Sequence, residues 1–576
     1  MTETLTLTTE RVDDIPLLLT HLMRMNVPSL LEQHFHQHGN WQGLSAGWVA
    51  TIWLAHVLSQ SDHRLNQVQP WATARLHTLR TCTQQPVQAL DLTDDRLARV
   101  LCMLSDDASW TSFERALTRD TLRVYDLRPS RVRIDTTTSS GYWQVTEDGL
   151  FQLGHSKDHR PDLPQLKVLL ATLDPLGMPL ATDVLSGERA DDQLYLPAIE
   201  RARGGLGQRG LLYVGDCKMS SLATRAGVAE AGDYYLCPLS ALQAPPAVIA
   251  GYVAAVARGE YMLQTIERAQ ADGTSQHLAD GFEMAQSMQA GDASWPITWT
   301  ERRLVVVRSL AQARTQEAAL RKRLARAQHE VAELTVRRRG KRRLRDLASV
   351  EQATTAILAQ QHVADVLRVR CQEVVRDRRV RAYRERPATV QQTVTLSVTS
   401  EVDAGALDEA IARLGWRVYV TNQPAEDLSL TQAVLAYREE YVVERSLGRL
   451  KGQPLSLRPM YLSRDEHATG LVRLLSIALR VLTLLEFVAR RRVAAEGTPV
   501  AGVYAGQATR TTLRPTAERL LAAFRELTLT VVVLPGRVVH HLTPLTLVQQ
   551  RLLALVDCTP EIYLRLAYDS AQLPEI

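Results

Sequence analysis

The spacing of apolar and polar residues changes along the 576-residue chain. Up to about residue 128, apolar residues recur every three or four positions, and aspartates stand at the starts of these segments, as they do at helix N-termini. From residue 129 to 238, short apolar runs alternate with amphipathic segments, which is typical of strands with interleaved helices. The pattern therefore predicts a helical N-terminal domain, 1–128, followed by the first part of an α/β domain, 129–238.

The α/β segment can be divided into individual elements. VRIDTTTSSGYW, which starts at residue 132, begins as a strand and runs into Asp135 and a series of hydroxyl residues. LKVLLATLD and MPLATDVLSG flank a DPLG turn and predict a β-hairpin. RGLLYVGD and DYYLCPL predict two further strands, while DDQLYLPAIERARGG and KMSSLATRAGVAEAG predict helices.

An insertion is predicted over residues 239–414, where this pattern is interrupted. Apolar residues there repeat at spacings of four and three, which predicts an antiparallel helical hairpin over about 308–375. The residues of the first repeat are Leu320, Leu324, Ala327, Val331 and Leu334, and those of the weaker second repeat are Leu347, Val350, Thr354 and Ile357. The tip, VRRRGKRRLR, is either a phosphate-contacting finger or a solvated loop. Trp295 and Trp299 are expected in the insertion's core, with base stacking as the alternative.

The pattern returns to a strand at WRVYVTNQ, and LTQAVLAYREEYVVERSLGRLKG then predicts one helix that ends at Gly452. We assign residues 415–490 to the second part of the α/β core and 491–576 to a helical C-terminal region. LVRLLSIALRVLTLLEFVARR is the most apolar stretch, and a buried helix is expected there instead of a membrane span. The reason is that it contains three charged residues, Arg473, Arg480 and Glu486.

Composition narrows the class of protein. The chain is 45% hydrophobic and 23% charged, which is ordinary for a soluble globular protein. Its six cysteines are scattered without a CxxC pair, which argues against a structural zinc site and against a disulfide framework. The N-terminus, MTETLTLTTERVDD, lacks the basic and apolar regions of a signal peptide. We therefore expect a cytoplasmic protein of several domains that has no membrane segment.

Three acidic residues are candidates for chemistry. Asp135 follows a strand, and Asp216 ends the buried strand LLYVGD, where a charged group projects into the crevice in which α/β sheets place their ligands. Glu444 lies on the predicted late helix. Because aspartate is also a common turn former at strand ends, Asp135 by itself leaves a structural and a chemical role open.

The late helix carries polar residues at helical spacing. Tyr437, Glu440, Glu444 and Lys451 are separated by three, four and seven positions and would therefore line one helical face. Charges on a helix face are usually solvated. Apolar neighbours on this helix should nevertheless seat it against the sheet, so the face could instead border a site.

This order of residues resembles the DDE transposases of the IS4-like group, and most closely the IS1634-type branch. The shared order is an Asp on an early strand, an Asp at a later strand end, and a Glu on a helix beyond a large insertion. GHSKDHRPDLPQLKVLL, SGERADD and VGDCKMSS are similar to segments of the branch, and Tyr437, Glu444 and Lys451 match its Tyr-x2-Arg-x3-Glu-x6-Lys pattern. LSLRPMYLSRDEHATGLVRLLSIAL, LTTERVDDIPLL, HGNWQGLSAGW and LTDDRLARVL extend the resemblance over nearly the whole chain.

The resemblance implies a ribonuclease-H-like α/β catalytic core that the insertion splits, with helical N- and C-terminal regions. Asp135, Asp216 and Glu444 would be the catalytic residues and the metal ligands. They would hold two Mg²⁺ ions, with Mn²⁺ able to substitute, because hard cations prefer carboxylates and a metal pair suits phosphodiester transfer. Asp135 would bridge both ions, and Asp216 and Glu444 would each complete one.

The resemblance also implies a reaction and partners. Water would cleave one strand at a transposon end, and the freed 3′-OH would then attack target DNA at the same site. The partners would be double-stranded DNA at terminal inverted repeats, which the N-terminal domain would bind, target DNA, and a second copy of the chain in a homodimeric synaptic complex. The protein would be bacterial, cytoplasmic, and associated with the nucleoid when bound to DNA.

Several basic and aromatic residues would contact DNA on this interpretation. They are Tyr437, Lys451, Lys157, Arg160, Arg338, Arg339, Lys341 and Arg342. For Tyr437 and Lys451 the alternative is packing of the helix on the sheet, and for Lys157 and Arg160 it is loop structure. One position departs from the family pattern, because Glu440 stands where the family has Arg. Either Arg438 or Arg445 replaces that contact, or the contact is absent.

Two other functions stay open. One is a catalytically decayed or domesticated copy that binds DNA or assembles through its helical hairpin. Glu440 keeps this alternative open, while the presence of all three acidic residues argues against it. The other is a stand-alone nuclease, which would cut DNA without joining it.

Overall fold

The computed structural model of the chain describes residues 6–37, 39–270, 273–291, 296–336, 344, 346–381, 387, 389–534 and 537–569. The described chain has a mixed α/β architecture, with parallel and antiparallel strands and many helices. It divides into two units. Unit 1 comprises Met1–Cys237, Gln289–Trp299 and Ala436–Ile576, and unit 2 comprises Pro238–Met288 and Thr300–Leu435.

The N-terminal part of unit 1 is helical after one strand. The strand is β1 (Thr6–Arg11), and the helices are α1 (Ile15–Arg24), α2 (Val27–His34), α3 (Ala46–Gln60), α4 (Leu65–Thr73), α5 (Leu76–Thr83), α6 (Asp94–Leu104) and α7 (Asp107–Val124). Side-chain oxygens of Ser45 and Asp106 accept hydrogen bonds from the first turns of α3 and α7, as the aspartates and hydroxyl residues at helix starts predict. The region predicted to be helical therefore also contributes a strand.

The sheet of unit 1 follows this helical part. Its strands are β2 (Arg131–Ser140), β3 (Gln165–Leu173), β4 (Met178–Ser186), β5 (Leu212–Val214) and β6 (Tyr234–Pro238), with α8 (Tyr195–Leu206) and α9 (Leu222–Glu230) between them. The strand order is β4-β3-β2-β5-β6. β2, β3 and β4 pair antiparallel, whereas β5 pairs parallel with β2 and with β6. The predicted hairpin, strands and helices of this segment are thus confirmed.

Unit 2 begins with mixed structure. Its elements, some of which extend into unit 1 at their ends, are α10 (Pro246–Ala257), β7 (Gln264–Ala269), β8 (Ser275–Ala290), β9 (Ile297–Ser309), α11 (Leu310–Ala332), α12 (Leu347–Gln361), β10 (Leu367–Val380), β11 (Thr389–Val402), α13 (Ala404–Ala412), β12 (Val418–Thr421) and α14 (Leu430–Arg438). β12, β9, β8 and β7 are neighbours in that order. A small core around Phe282, Val305 and Val418 supports these strands.

The helical hairpin of the insertion is present but shorter than predicted. α11 packs on α12, and Leu320, Leu324 and Ala327 of the first repeat are buried in their shared core. The hairpin ends at Gln361 and not at about residue 375, as predicted. The residues after it belong to β10, which pairs with β11 in a long antiparallel ribbon. The residues of the ribbon alternate with a period of two and include many β-branched side chains, which favours a strand.

The C-terminal part of unit 1 contains strands that we did not predict. Its elements are α15 (Tyr441–Lys451), α16 (Asp465–Glu496), β13 (Val500–Ala501), β14 (Thr511–Thr512), α17 (Ala517–Ala522), β15 (Thr528–Leu534), β16 (Arg537–Leu542), α18 (Leu547–Leu555), α19 (Glu561–Leu564) and β17 (Tyr568–Asp569). β15, β16 and β17 form a sheet with β1. The prediction of a purely helical C-terminal region, 491–576, is therefore wrong, since the valine-rich run of β15 favours a strand.

The predicted late helix is also wrong in one respect, because it is two helices. α14 ends at Arg438 and α15 begins at Tyr441. Arg133 Nη2 donates to the carbonyl of Ala436 at 2.6 Å, and the carboxylate of Glu439 lies 3.1 Å from Arg131 Nη1. Arg133 thus bonds a carbonyl in the last turn of α14, and residues 439–440 form a turn between the two helices. The second helix ends before Gly452, as predicted.

α16 is the buried helix that its apolar sequence predicts. Two of its buried arginines form hydrogen bonds inside the protein. Arg473 donates to the Leu104 carbonyl at 2.9 Å, and Arg480 donates to Thr118 at 3.0 Å. Within the described part of the chain, no helix has the length and apolarity needed to cross a membrane.

Candidate functional site

Two adjacent parallel strands bring Asp135 and Asp216 to the same edge of the sheet. In the register between them, Arg133 of β2 is opposite Val214 of β5. Asp135 lies two residues further along β2, and Asp216 lies two residues beyond the end of β5, at the start of the turn that follows it. Both side chains are partly accessible, and their charges interact. Asp135 is the fifth residue of β2 and therefore lies within the strand, whereas Asp216 follows the end of β5 as the sequence predicts.

Asp135 is held by cationic and amide donors. Lys157 Nζ lies 3.2 Å from Asp135 Oδ1 and also donates to the Thr136 carbonyl at 2.6 Å. The N–H of Thr136 donates to the same aspartate oxygen at 2.7 Å. Burial raises the pKa of the Asp135 carboxyl, and Lys157 opposes that shift. The Lys157 ammonium thus partly neutralises the Asp135 carboxylate.

Asp216 is held by donors from its own turn and from α8. The Tyr195 hydroxyl donates to Asp216 Oδ1 at 2.6 Å, and the N–H of Lys218 donates to the same oxygen at 2.9 Å. Tyr195 is fully buried. The sequence gives no direct signal for this tyrosine, because it lies 21 residues before Asp216 and its meaning depends on how α8 packs.

α15 supplies two glutamates near the aspartates. This helix packs on β2. Glu440 stands at its N-terminal end and is half-buried, whereas Glu444 is exposed one turn later. Burial raises the pKa of Glu440, and the negative charges of Asp135, Glu444 and Asp216 raise it further. Four carboxylates thus influence one another at this edge of the sheet.

The donor set suits a hard divalent cation in its chemistry. Asp135 and Asp216 offer carboxylate oxygens, which Mg²⁺ prefers, and the bound Lys157 ammonium marks a place where positive charge is stable. Among the described residues there is no group of three or more His, Cys, Asp or Glu side chains that could together hold a metal ion. The two aspartates are therefore the residues that could hold a cation, with Glu444 as the candidate third ligand on α15.

The predicted DNA contacts lie in two places. Lys451 Nζ, at the end of α15, lies 2.5 Å from Asp158 Oδ1 and 3.1 Å from the Thr137 hydroxyl. Arg458 Nη1 lies 2.9 Å from the same aspartate oxygen. Asp158 therefore fastens the loop that carries Lys157 to the end of α15, a role that we did not predict for it. Arg160 on that loop pairs with Asp162 at 2.7 Å and is exposed.

Tyr437 and the arginines near Glu440 are less available than predicted. The Tyr437 ring is 9% exposed at the end of α14, so it does not share a continuous helical face with Glu444. Arg445 pairs with Glu486 of α16. It is engaged in the packing of α15 on α16 and is not positioned to replace the family arginine. Arg438 is half-buried at the end of α14.

The remaining predicted residues are in or near the insertion. Arg338, Arg339, Lys341 and Arg342 lie outside the described residues, as does Trp295. Trp299 is half-buried and donates from Nε1 to the Tyr235 hydroxyl at 2.8 Å. This bond favours the core role for Trp299 over base stacking.

Glu440→Gln is expected to stabilise the metal-free protein at neutral pH. Because the folded-state pKa of Glu440 is raised, its ionised form lowers stability once the pH rises through that pKa, and the penalty is absent at low pH. The amide removes this penalty. The free energy of unfolding should therefore rise by roughly 0.2–0.5 kcal/mol, the usual effect of like charges one helical turn apart. Thermal melting at pH 8 and pH 3.5 should show a gain at pH 8 that disappears at pH 3.5.

The matched control for this change is Glu439→Gln. Glu439 pairs with Arg131 at 3.1 Å, so its amide variant should lose stability at pH 8. A lower melting temperature for Glu440→Gln at pH 8 would contradict the proposed repulsion.

No protein-family model matches the chain, and no curated protein matches it. Among solved structures, the chain is similar to a piggyBac transposase, whose cryo-EM structure is a synaptic complex with hairpin DNA. The TM-score is 0.33 and the identity 7%, with 88% of this chain and 79% of that chain covered. A likeness at this level carries no argument about function.

Proposed function

We propose that the chain is a DNA transposase of the DDE type with a ribonuclease-H-like catalytic core. The observation that carries this proposal is that Asp135, on β2, and Asp216, just beyond the end of the adjacent parallel strand β5, are close enough for their charges to interact. A helix with two further glutamates, α15, packs against β2. The sequence resemblance to the IS4-like group and its IS1634-type branch supports the proposal independently.

The strand arrangement supports the proposed core. Three antiparallel strands are followed at one side by two parallel strands, in the order β4-β3-β2-β5-β6. This is the arrangement expected of a ribonuclease-H-like sheet, in which the first acidic residue lies on the central strand. Asp135 occupies that strand, β2.

The proposed reaction is phosphodiester hydrolysis at a transposon end, followed by attack of the freed 3′-OH on target DNA. Asp135 and Asp216, with Glu444 as the third carboxylate, would hold Mg²⁺. Bound divalent cations would supply the charge that activates an attacking oxygen and stabilises a leaving oxygen. Lys157 lies beside the Asp135 carboxylate. Its ammonium can therefore contact the phosphate that is cleaved.

The proposed partners follow from this reaction. They are double-stranded DNA at terminal inverted repeats, target DNA, and a second copy of the chain in a homodimeric complex that joins two transposon ends. The proposed location is the bacterial cytoplasm, with association to the nucleoid on DNA binding.

The test uses a labelled duplex that carries the inverted repeats flanking the reading frame. We expect the wild-type protein to cut it in Mg²⁺ or Mn²⁺ and to leave it intact in EDTA, and to join the cut end to a supercoiled plasmid. Cutting without joining would identify a nuclease instead. Binding without cutting, with cutting restored by Glu440→Arg, would identify a decayed copy and overturn the proposal of an active enzyme.

A further inference from the structure

We propose that Tyr195 is a positioning residue that orients the Asp216 carboxylate for metal binding. This inference rests on the proposed function and deepens it, because Asp216 is one of the proposed metal ligands. The observations that support it are the hydrogen bond from Tyr195 to Asp216, the packing of the tyrosine ring, and the contacts of the segment that precedes it.

The hydrogen bond fixes one oxygen of the carboxylate. The Tyr195 hydroxyl donates to Asp216 Oδ1 at 2.6 Å, and the Lys218 N–H donates to Oδ1 at 2.9 Å. Two donors that converge on Oδ1 from different elements, α8 and the turn after β5, prevent rotation of the carboxylate. Its other oxygen, Oδ2, is thereby held in one direction for a ligand.

The ring of Tyr195 is held rigidly against the end of β5. A Cβ atom at position 215 would lie 3.0 Å from Tyr195 Cε1 and 2.8 Å from Met219 Sδ. The contact with Met219 Sδ would require a shift of that side chain, and the contact with Tyr195 Cε1 would be tight, so the glycine in the segment VGD lets the ring pack closely against the backbone. Tyr195 is 0% exposed. Bulk water therefore cannot replace Asp216 as the hydrogen-bond partner of its hydroxyl.

The segment before Tyr195 also reaches the neighbouring strand. Asp191 accepts hydrogen bonds from Lys167 Nζ at 2.5 Å and from the Thr136 hydroxyl at 3.3 Å. Thr136 directly follows Asp135 and donates its N–H to that carboxylate. The start of α8 and the turn before it thus contact the surroundings of both aspartates and hold them in register.

The chemistry of the phenol suits this role. A phenol hydroxyl is a neutral donor at neutral pH, and here it donates to Asp216 Oδ1. A neutral donor orients a carboxylate without neutralising the charge that a cation needs. Loss of such an outer partner of a metal ligand typically weakens metal affinity by about 10- to 100-fold.

The experiment compares Mg²⁺ binding of the full-length wild-type protein with that of Tyr195→Phe. Isothermal titration calorimetry gives the Mg²⁺ affinity directly, and the Mg²⁺ concentration at half-maximal cleavage of the repeat-end duplex gives a second value. We expect both to be weaker by about 10- to 100-fold in Tyr195→Phe. The maximal cleavage rate at saturating Mg²⁺ should change much less, since the ligand itself is retained.

The matched control is Tyr213→Phe. Tyr213 lies on β5 and is 0% exposed, and its buried hydroxyl has no hydrogen-bond partner within the part of the chain that the structure describes. This variant should bind Mg²⁺ as the wild type does. Site-specific 3-fluorotyrosine at position 195, which keeps the hydroxyl, should also retain wild-type affinity, and melting curves establish that each variant is folded.

The outcomes separate this inference from the proposed function. Equal Mg²⁺ affinity for wild type and Tyr195→Phe, with binding abolished in Asp135→Asn, would overturn the role of Tyr195 alone. A wild-type protein that shows no Mg²⁺ binding would overturn the proposed function, and the positioning role with it. A lower melting temperature for Tyr195→Phe at unchanged Mg²⁺ affinity would mean that the hydrogen bond is only structural.

Discussion

Asp135→Asn is expected to slow Mg²⁺-dependent cleavage of the repeat-end duplex by roughly 10³-fold and to leave DNA affinity near the wild-type value. The change removes one of two interacting negative charges, those of Asp135 and Asp216. Metal-ion stabilisation of charge in the transition state is worth several kcal/mol, and each step of about 1.36 kcal/mol is tenfold in rate. DNA affinity depends on many phosphate contacts with basic side chains, which the amide leaves in place.

The matched control for this change is Asp148→Asn in the segment after β2. Asp148 is exposed and has a φ of 56°, a conformation that asparagine adopts readily. Single-turnover cleavage and fluorescence anisotropy at fixed salt measure rate and affinity separately. If Asp135→Asn cleaves as fast as the control, Asp135 only ends a strand. If it also loses DNA affinity, the substitution acts through the fold.

Glu486→Ala is expected to destabilise unit 1 by about 3–5 kcal/mol, the usual effect of removing one partner from a buried ion pair. The Glu486 side chain is 7% exposed and pairs with Arg449 at 2.5 Å and with Arg490 at 2.7 Å, as well as with Arg445. Arg449 in turn pairs with Glu518 of α17 at 2.7 Å. Alanine would leave these guanidinium groups facing one another without the central carboxylate.

The matched control is Glu496→Ala at the end of the same helix. Glu496 pairs with Arg551, and both side chains are partly exposed, so its loss should change stability far less than the loss of Glu486. Urea unfolding followed by the fluorescence of the buried Trp53 and Trp110 of unit 1 gives both values. Equal midpoints for the two variants would show that the Glu486 network adds little. If Glu486→Ala loses much stability, we also expect it to displace α15 and to slow cleavage.

Much of the local structure around the candidate site follows from the sequence. The hairpin of β3 and β4 follows from two apolar runs around a turn, and β5 follows from a short apolar run before a glycine. The position of Asp216 just after β5 follows from the sequence, whereas Asp135 lies inside β2, because the strand continues through the hydroxyl residues after it. Strand and helix periodicities report which side chains are buried, and that information is local. Whether these residues bind metal stays a prediction.

Contacts between distant segments were decided only by the tertiary structure. The late segment alternates apolar and polar residues at helical spacing throughout, yet it is interrupted at residues 439–440, where Arg133 of β2 bonds the carbonyl of Ala436, 303 residues away. β1 pairs with β15, so that Thr6 is opposite Val533. No local pattern specifies that an isolated strand at the N-terminus will find its partner near the C-terminus, because strand pairing depends on which edges the fold brings together.

The same division holds for the side chains at the site. The sequence by itself determined which acidic and basic residues the site can draw on. It did not determine that Tyr195 donates to Asp216, that Lys451 pairs with Asp158, or that Arg445 is engaged by Glu486. Each of these partners is chosen by distance and burial after the helices have packed on the sheet. Charge and hydrogen-bonding capacity are properties of a residue, whereas the identity of its partner is a property of the fold.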